Sequence, residues 1–245
     1  MRRYIILIFV AFVAFAVIML PAQIFKLWFN FDGLKLSEMQ GTVWTGSGSI
    51  DVKQENIGRL QWNIRLHRLF FGELSYQVFM QNPSITIDGK LSYSFSAASF
   101  VGNGRIKASL INRALETFDT YIVGEFELSE VSIAMNHNQE FRTVDGSVFW
   151  DGGKVRTVAN SKSKSVQIPP LTATLMNSDD EIVLESETQN NSTNVLKLRI
   201  EPATGWVHIA LSRHTLELAE MPWATSGDEN EYVLEISRRI YQRTH

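Results

Sequence analysis

The stretch YIILIFVAFVAFAVIML, from Tyr4 to Leu20, is the feature around which the rest of this sequence is organised. Its 17 residues include no charged residue, no Gly and no Pro. At about 1.5 Å per residue it predicts a helix of roughly 25 Å, slightly shorter than a bilayer core of about 30 Å. The sequence therefore predicts a single transmembrane helix as a membrane anchor, represented by Tyr4, Leu7, Phe12, Phe15 and Leu20.

The charges that flank this stretch predict how the anchor is oriented. Arg2 and Arg3 precede it, and positive charge stays on the cytoplasmic side, so the N-terminus is expected inside and the chain after residue 30 outside the cytoplasm. No second apolar run is long enough to cross a membrane. A cleaved signal peptide is the alternative, but it has a shorter apolar core and a small-x-small site, for which only Pro21-Ala22 offers a candidate. The sequence therefore predicts two parts: a short cytoplasmic N-terminus with the transmembrane anchor over residues 1–30, and an exported domain over residues 31–245.

The composition of the exported part excludes some classes of function. The first 30 residues hold three basic residues and no acidic one, which leaves 20 basic and 26 acidic residues and a formal charge of −6 for the remainder. Such a domain lacks the basic footprint of a nucleic-acid-binding protein. The chain has no cysteine, so a disulfide framework, a thiolate metal site and a cysteine nucleophile are all excluded.

Beyond residue 40 the dominant pattern is alternation of apolar and polar residues, clearest in Leu196–Ile200 and Tyr232–Ile236. This period of two is typical of antiparallel strands with one buried and one wet face. We therefore predict a mainly β, antiparallel domain of about 11 to 14 strands. A hairpin turn is predicted at Asp88-Gly89. Two stretches predict short helices, Leu110–Phe118 and Thr215–Trp223.

Two segments of the chain are weakly similar to each other. Gly41-Thr42-Val43-Trp44 and Gly146-Ser147-Val148-Phe149-Trp150 each combine a glycine bend, an apolar run and a tryptophan. The similarity raises the possibility of a two-part β architecture, with parts over 41–140 and 141–245. In this interpretation Trp44 lies in a strand, against the core of the sheet.

The sequence shows little sign of catalytic chemistry. Its five histidines are scattered and lack metal-ligand spacing, and we find no nucleophile elbow and no P-loop. We therefore predict neither an enzyme nor a cofactor. The tryptophans in or beside predicted strands either pack in the core or line a binding face. They are Trp44, Trp62, Trp150 and Trp206.

The run from Leu36 to Gly46, LSEMQGTVWTG, resembles the signature that follows the anchor in the N subunit of the type II secretion system. Its core is Gly41, Thr42, Val43, Trp44 and Gly46. Leu20-Pro21-Ala22 resembles the end of the family's membrane helix. Further similarities follow in the same order at residues 58–64, around Trp62, at 69–74, and at 145–150, around Trp150.

The resemblance implies a single-pass protein of the bacterial inner membrane with a periplasmic β domain, acting as a non-enzymatic part of the secretion apparatus. Its partners would be other envelope components of that apparatus. The resemblance also implies some likeness to the AsmA-type proteins that handle lipids between membranes. Two hypotheses follow, an assembly subunit that presents sheet edges and faces, and a lipid-binding module with an open apolar groove.

The last predicted strand is the candidate docking edge, because nothing long follows it to cover it. Its apolar residues are Tyr232, Leu234 and Ile236, and Ser237-Arg238-Arg239 would follow as a charged guard.

Overall fold

The computed structural model describes residues 2–25, 34–52, 55–116, 119–137, 140–159, 162–178, 181–189, 192–219 and 227–239. The chain forms two compact units, residues 1–94 and residues 95–245. Mainly antiparallel β structure, predicted from the alternation, is confirmed in both. The domain boundaries taken from the sequence stay predictions.

Helix α1 spans Arg2–Ile18 and contains 17 residues. Its apolar side chains are exposed, including Tyr4 at 74%, Leu7 at 69%, Phe12 at 66% and Phe15 at 60%. Leu20 lies just beyond its end. Among the helices in the described residues, none combines the length and the apolar character that a membrane crossing requires, so the predicted transmembrane span is not supported.

The first unit is an antiparallel meander in which each strand pairs with the next along the chain. Short connections and alternating side chains explain this order, because consecutive strands joined by tight turns pair directly. The described part of the unit also contains two short 3-10 helices, Ala22–Ile24 and Leu66–Phe71. Its strands are β1 (Leu34–Gly41), β2 (Thr45–Val52), β3 (Glu55–Ile64), β4 (Leu74–Asn82) and β5 (Ile85–Tyr93).

The core of the first unit lies on one face of this meander. Trp62, Tyr76, Met39 and Ala22 are buried there, and partly buried apolar residues from the same strands surround them. The hairpin predicted at Asp88-Gly89 is wrong, since β5 runs straight through this pair and the turn comes earlier, after Asn82. Gly89 pairs with Val78 on β4, and Val78 pairs with Trp62 on β3. Gly89 therefore lies in the same cross-strand row as the large indole ring of Trp62.

The second unit has two antiparallel sheets. The larger has the strand order β6-β8-β9-β12-β13-β14-β15-β16, and the smaller has the order β11-β10-β7. The larger sheet consists of β6 (Ala97–Lys107), β8 (Glu125–Asn136), β9 (Phe141–Trp150), β12 (Leu171–Ser178), β13 (Glu181–Thr188), β14 (Asn194–Glu201), β15 (Trp206–Ser212) and β16 (Tyr232–Arg239). The smaller consists of β7 (Thr120–Ile122), β10 (Gly153–Ala159) and β11 (Lys162–Ile168).

The described part of this unit contains two short α-helices, near the positions that the sequence predicts. Helix α2 spans Ala108–Leu115 and helix α3 spans Arg213–Leu218. The side chain of Ser212 accepts a hydrogen bond from the Thr215 amide and caps α3. Of the predicted helical residues, Phe118 and Trp223 lie outside the described part of the chain.

The predicted alternation is confirmed in β14, where one face is apolar and the other charged. Lys197 forms an ion pair with Glu185 on β13, and Arg199 forms one with Glu235 on β16. The opposite face carries apolar residues in register across the strands. The sixteen strands found in the described residues exceed the predicted 11 to 14, in part because β10 and β11 are too polar to stand out in the sequence.

Candidate functional site: the signature turn at the end of α1

Residues 41–46, here called the signature turn, join β1 and β2. Gly41 pairs with Gly46 across the hairpin, and the Thr42 amide donates to the Thr45 carbonyl at 2.9 Å. The Thr42 hydroxyl accepts from the amides of Trp44 and Thr45, each at 3.2 Å. A threonine that bonds the backbone two and three residues ahead holds such a turn locally. This explains the hydroxyl residue after Gly41.

Both glycines of the signature turn are required by their surroundings. Gly41 has a φ of +90°, which L side chains rarely adopt. At Gly46 a Cβ atom would lie 2.4 Å from the Gln40 carbonyl oxygen and 2.6 Å from the ring of Trp62. The turn can therefore approach Trp62 only with glycine at this position.

The signature turn contacts the C-terminal end of α1 through three backbone positions. The indole Nε1 of Trp44 donates to the Val17 carbonyl at 2.9 Å, and the Val43 amide donates to the Leu20 carbonyl at 2.9 Å. Pro21 forms an antiparallel bridge with Thr42. The last four carbonyls of a helix lack partners within the helix, so the turn supplies donors where the helix ends.

A buried aromatic cluster lies below this contact. Trp62 is 6% exposed, and its Nε1 donates to the Thr42 carbonyl at 3.0 Å. Phe25 packs edge-on against Trp62, with ring centroids 5.5 Å apart, and against Tyr76 at 6.2 Å. Burial raises the pKa of the Tyr76 phenol. The chain that leaves α1 is thus held both by backbone hydrogen bonds and by a packed core.

This geometry corrects the predicted place of Trp44. The sequence predicted a strand residue packed against the sheet core, whereas Trp44 lies in the turn, half-buried, with its indole directed to the end of α1. The buried neighbour is Val43, which is 8% exposed. Trp62 takes the core position expected of Trp44.

Comparison with protein families matched residues 32–210 to type II secretion system (T2SS), protein N. The matched part contains the signature turn and Trp62, and it is more than half of the chain. The chain belongs to the type II secretion system protein N family. Searches of curated proteins and of solved structures returned no match to the chain.

The match to the protein N family begins before β1 and ends at residue 210, within β15, so it includes the small sheet of the second unit, whereas α1 and β16 lie outside it. The signature turn therefore connects the start of the matched region to a helix that precedes it. Membership associates the chain with type II secretion. The match itself names no partner subunit.

The second predicted tryptophan motif of this protein N chain forms a different arrangement. Trp150 lies within β9, is 7% exposed, and stacks on Phe126 with centroids 5.9 Å apart. Its Nε1 donates to the Val123 carbonyl at 3.1 Å. Trp150 thus corresponds in environment to the buried Trp62 and not to Trp44. Both buried tryptophans pack on sheet faces, where a protein partner has no access to their rings.

The predicted edge residues Tyr232, Leu234 and Ile236 all lie in β16, the final strand of the larger sheet. Leu234 pairs with Leu211 and Ile236 with Ile209 on β15. The Tyr232 hydroxyl donates to Glu185 at 2.8 Å, and burial together with this carboxylate raises the pKa of Tyr232. The predicted guard residues, Ser237-Arg238-Arg239, do not follow the strand but belong to it and pair with β15.

Two contributors to the site were missed by sequence reasoning, namely Phe25 and the carbonyl of Val17. A backbone carbonyl carries no sequence signal, and Phe25 is one of many apolar residues near the predicted anchor. The Thr42 hydroxyl could have been found, because threonine beside a glycine bend is a known turn former.

Proposed function

We propose that this chain is a non-enzymatic assembly subunit of the type II secretion machinery, which presents a sheet edge to other envelope components. Membership of the protein N family supports the connection with secretion. The observation that carries the docking mode is the position of β16. Within the described residues it pairs with β15 on one side and with no strand on the other.

An edge strand offers recognition because its outward N–H and C=O groups lack strand partners. An extended segment of a neighbouring protein adds to such an edge through main-chain hydrogen bonds, and side-chain contacts give specificity. In β16, Ile236 is 45% exposed and could contribute an apolar contact. Glu235 is engaged by Arg199 at 2.8 Å, so one of the charges on this strand is already paired within the chain.

The proposed location is the bacterial inner membrane, with α1 embedded in the bilayer, Arg2 and Arg3 on the cytoplasmic side and the β units in the periplasm. The exposed apolar side chains of α1 support it, because such a surface is costly in water. A helix of about 25 Å is short for the bilayer core, and local thinning of the membrane accommodates such a mismatch. Confinement next to the membrane also raises the effective concentration of anchored partners.

A second candidate function, lipid binding, is favoured by the apolar face of the larger sheet. Leu184, Leu198, Ile209 and Ile236 are adjacent in register across β13 to β16. The first three are only partly buried, and Ile236 is exposed. A row of incompletely covered apolar side chains is what an acyl chain would contact. This module would resemble the AsmA-type proteins in function.

A proline scan of β16 tests the docking mode. Proline removes an N–H, so it disrupts the strand where that group bonds β15 but is tolerated where the group points outward. Variants at positions 232–236 that keep the wild-type unfolding midpoint identify the outward positions. Among these, we expect proline to reduce secretion and co-purification of envelope components, while alanine at the same position does not.

Secretion that survives proline at every outward position would exclude β16 as the docking strand. The lipid-binding alternative has its own measurement, mass spectrometry of lipids extracted from the purified full chain. Stoichiometric phospholipid, lost on Leu198→Asp, would replace the assembly proposal with the lipid-binding one.

A further inference from the structure

The small sheet of the second unit has an unusual charge for this acidic chain. Its three strands, β7, β10 and β11, together hold four basic residues, Lys154, Arg156, Lys162 and Lys164, and no acidic one. The chain as a whole has 23 basic and 26 acidic residues. Basic charge is therefore concentrated in one structural element, which is here called the cationic sheet.

The two faces of the cationic sheet differ in exposure. Val155 pairs with Val166 and with Ile122, and these three are partly buried, while Ile168 on the same face is 7% exposed. The register places Lys154, Arg156 and Val158 of β10 on the other face, together with Tyr121, whereas Lys164 of β11 pairs with Thr157 on the face of Val155. The basic residues of the outer face are therefore those of β10, Lys154 and Arg156. This outer face is exposed throughout.

Cations and apolar groups lie side by side on the outer face. The Arg156 guanidinium lies over the Tyr121 ring, 5.3 Å from its centroid. A depression of about 420 Å³ is lined by Tyr121, Val123, Lys154, Arg156 and Ser165. Tyr121 is 46% exposed, Val123 50% and Val158 45%. Neither Lys154 nor Arg156 forms an ion pair with any part of the chain that the structure describes.

We propose that the outer face of the cationic sheet docks on the surface of a bilayer that contains anionic phospholipid. Charge complementarity carries the proposal, because basic residues near an anionic leaflet are attracted to it. Tyrosine with short apolar side chains is the composition found at membrane interfaces, where one end of the ring contacts hydrocarbon and the other water. The inference is independent of any role in secretion.

A lipid surface fits this face better than an acidic protein does. Tight protein partners anchor on a few residues in well-packed, desolvated pockets. The outer face instead offers a shallow depression with exposed basic side chains, which can reach phosphate groups without a fixed complementary shape. An anionic leaflet supplies diffuse charge of this kind.

The absence of cysteine from the chain makes a site-specific test direct. The full chain carrying Val158→Cys is labelled with an environment-sensitive fluorophore and reconstituted in lipid nanodiscs. One set of discs contains phosphatidylcholine alone, and the other contains phosphatidylcholine with phosphatidylglycerol. We expect blue-shifted emission only in the anionic discs, reversed by high salt because screening weakens surface attraction. Thr174→Cys, exposed on β12, provides the control label position.

The charge variant is Lys154→Glu with Arg156→Glu. Each basic residue near an anionic leaflet strengthens association about fivefold, so the docking equilibrium should weaken at least about 30-fold. The matched control makes the same charge change at exposed Lys35 and Arg59 in the first unit and should leave docking unchanged. Circular dichroism checks that each variant folds, and Lys154→Gln with Arg156→Gln replaces the Glu pair if that pair unfolds.

Equal emission in the two kinds of disc would overturn the proposal, as would equal effects of the two charge variants. Crosslinks from position 158 to an acidic protein in native membranes, without a response in the anionic discs, would assign the face to a protein partner instead.

Discussion

The indole Nε1 of Trp44 donates a hydrogen bond of 2.9 Å to the carbonyl of Val17, which lies 27 positions earlier in the chain. This bond connects the turn of the family signature to a helix outside the family match. The Val17 carbonyl lies in the last turn of α1 and also accepts from the Leu20 amide at 3.3 Å, so the indole adds a second, shorter hydrogen bond at the helix end. We infer that the signature turn restrains the C-terminal end of α1 against the strands of the first unit.

Trp44→Phe tests this bond, because phenylalanine keeps a large ring but removes the N–H. We expect a loss of about 0.5–1.5 kcal/mol in the free energy of unfolding, the usual net value of one hydrogen bond. Faster amide hydrogen exchange at residues 17–22 should accompany it. Trp206→Phe, on an exposed indole at 38%, is the control and should change neither quantity. Unchanged exchange at residues 17–22 in Trp44→Phe would show that the bond does not restrain the helix end.

Trp62→Ala should have a larger effect, because Trp62 is buried and Trp44 is not. Removal of a buried large aromatic side chain costs about 3–5 kcal/mol. The variant also leaves the Thr42 carbonyl without its indole donor and Phe25 without its edge-on neighbour. The measurement is the denaturant midpoint of the full chain in detergent. A cost below that of Trp44→Phe would contradict the assignment of Trp62 to the core.

The sequence predicts the fold class well and the aromatic positions poorly, for physical reasons. The alternation in Leu196–Ile200 follows from the side-chain geometry of a strand with one solvent-exposed face, and these residues do form a strand, β14. The polar run KSKSVQI of β11 lacks this pattern, since its outer face carries the exposed polar residues Ser163, Ser165 and Gln167, and Lys164 lies on the opposite face next to Val166 in the strand. A sequence signal based on apolar periodicity cannot detect such a strand.

Local sequence patterns also failed to predict the arrangement of residues at and near the candidate site. The sequence predicted glycine bends on either side of Trp44 but placed the residue itself in a strand. That its indole faces a helix carbonyl depends on long-range packing, which local sequence does not reveal. Asp88-Gly89 has the composition of a hairpin turn yet lies within β5. Here tertiary context overrides the local preference, since Gly89 pairs with Val78 in the row that contains Trp62.

Gly46→Ala tests the close approach of the signature turn to Trp62. The added Cβ would lie 2.4 Å from the Gln40 carbonyl oxygen and 2.6 Å from the Trp62 ring, so backbone or ring must shift. Overpacking of this kind costs about 1–3 kcal/mol. Gly48→Ala is the control, because its nearest neighbour would lie at 3.2 Å. Equal unfolding midpoints for the two variants would show that the turn does not need glycine at position 46.

We predict that the free energy of unfolding depends on pH in the alkaline range because of Tyr232, at the start of β16. Burial and the hydrogen bond to Glu185 favour the neutral phenol, so the pKa of Tyr232 is raised in the folded chain. A group with a raised folded pKa contributes stability that is complete below its unfolded pKa, about 10 for tyrosine, and is lost as pH rises toward the folded value. Unfolding free energy should therefore fall as pH increases above about 10.

Tyr232→Phe removes the titrating group and should flatten part of this alkaline loss, measured as denaturant midpoints across the alkaline range. Some dependence should remain, because burial also raises the pKa of Tyr76. Below pH 10 the variant loses the hydrogen bond to Glu185 and should be less stable by about 0.5–1.5 kcal/mol. Tyr93→Phe, at a residue that is 53% exposed, is the matched control. If Tyr232→Phe and wild type lose stability in parallel above pH 10, the phenol is not held neutral by Glu185, and the start of β16 is less firmly attached to β13 than the structure indicates.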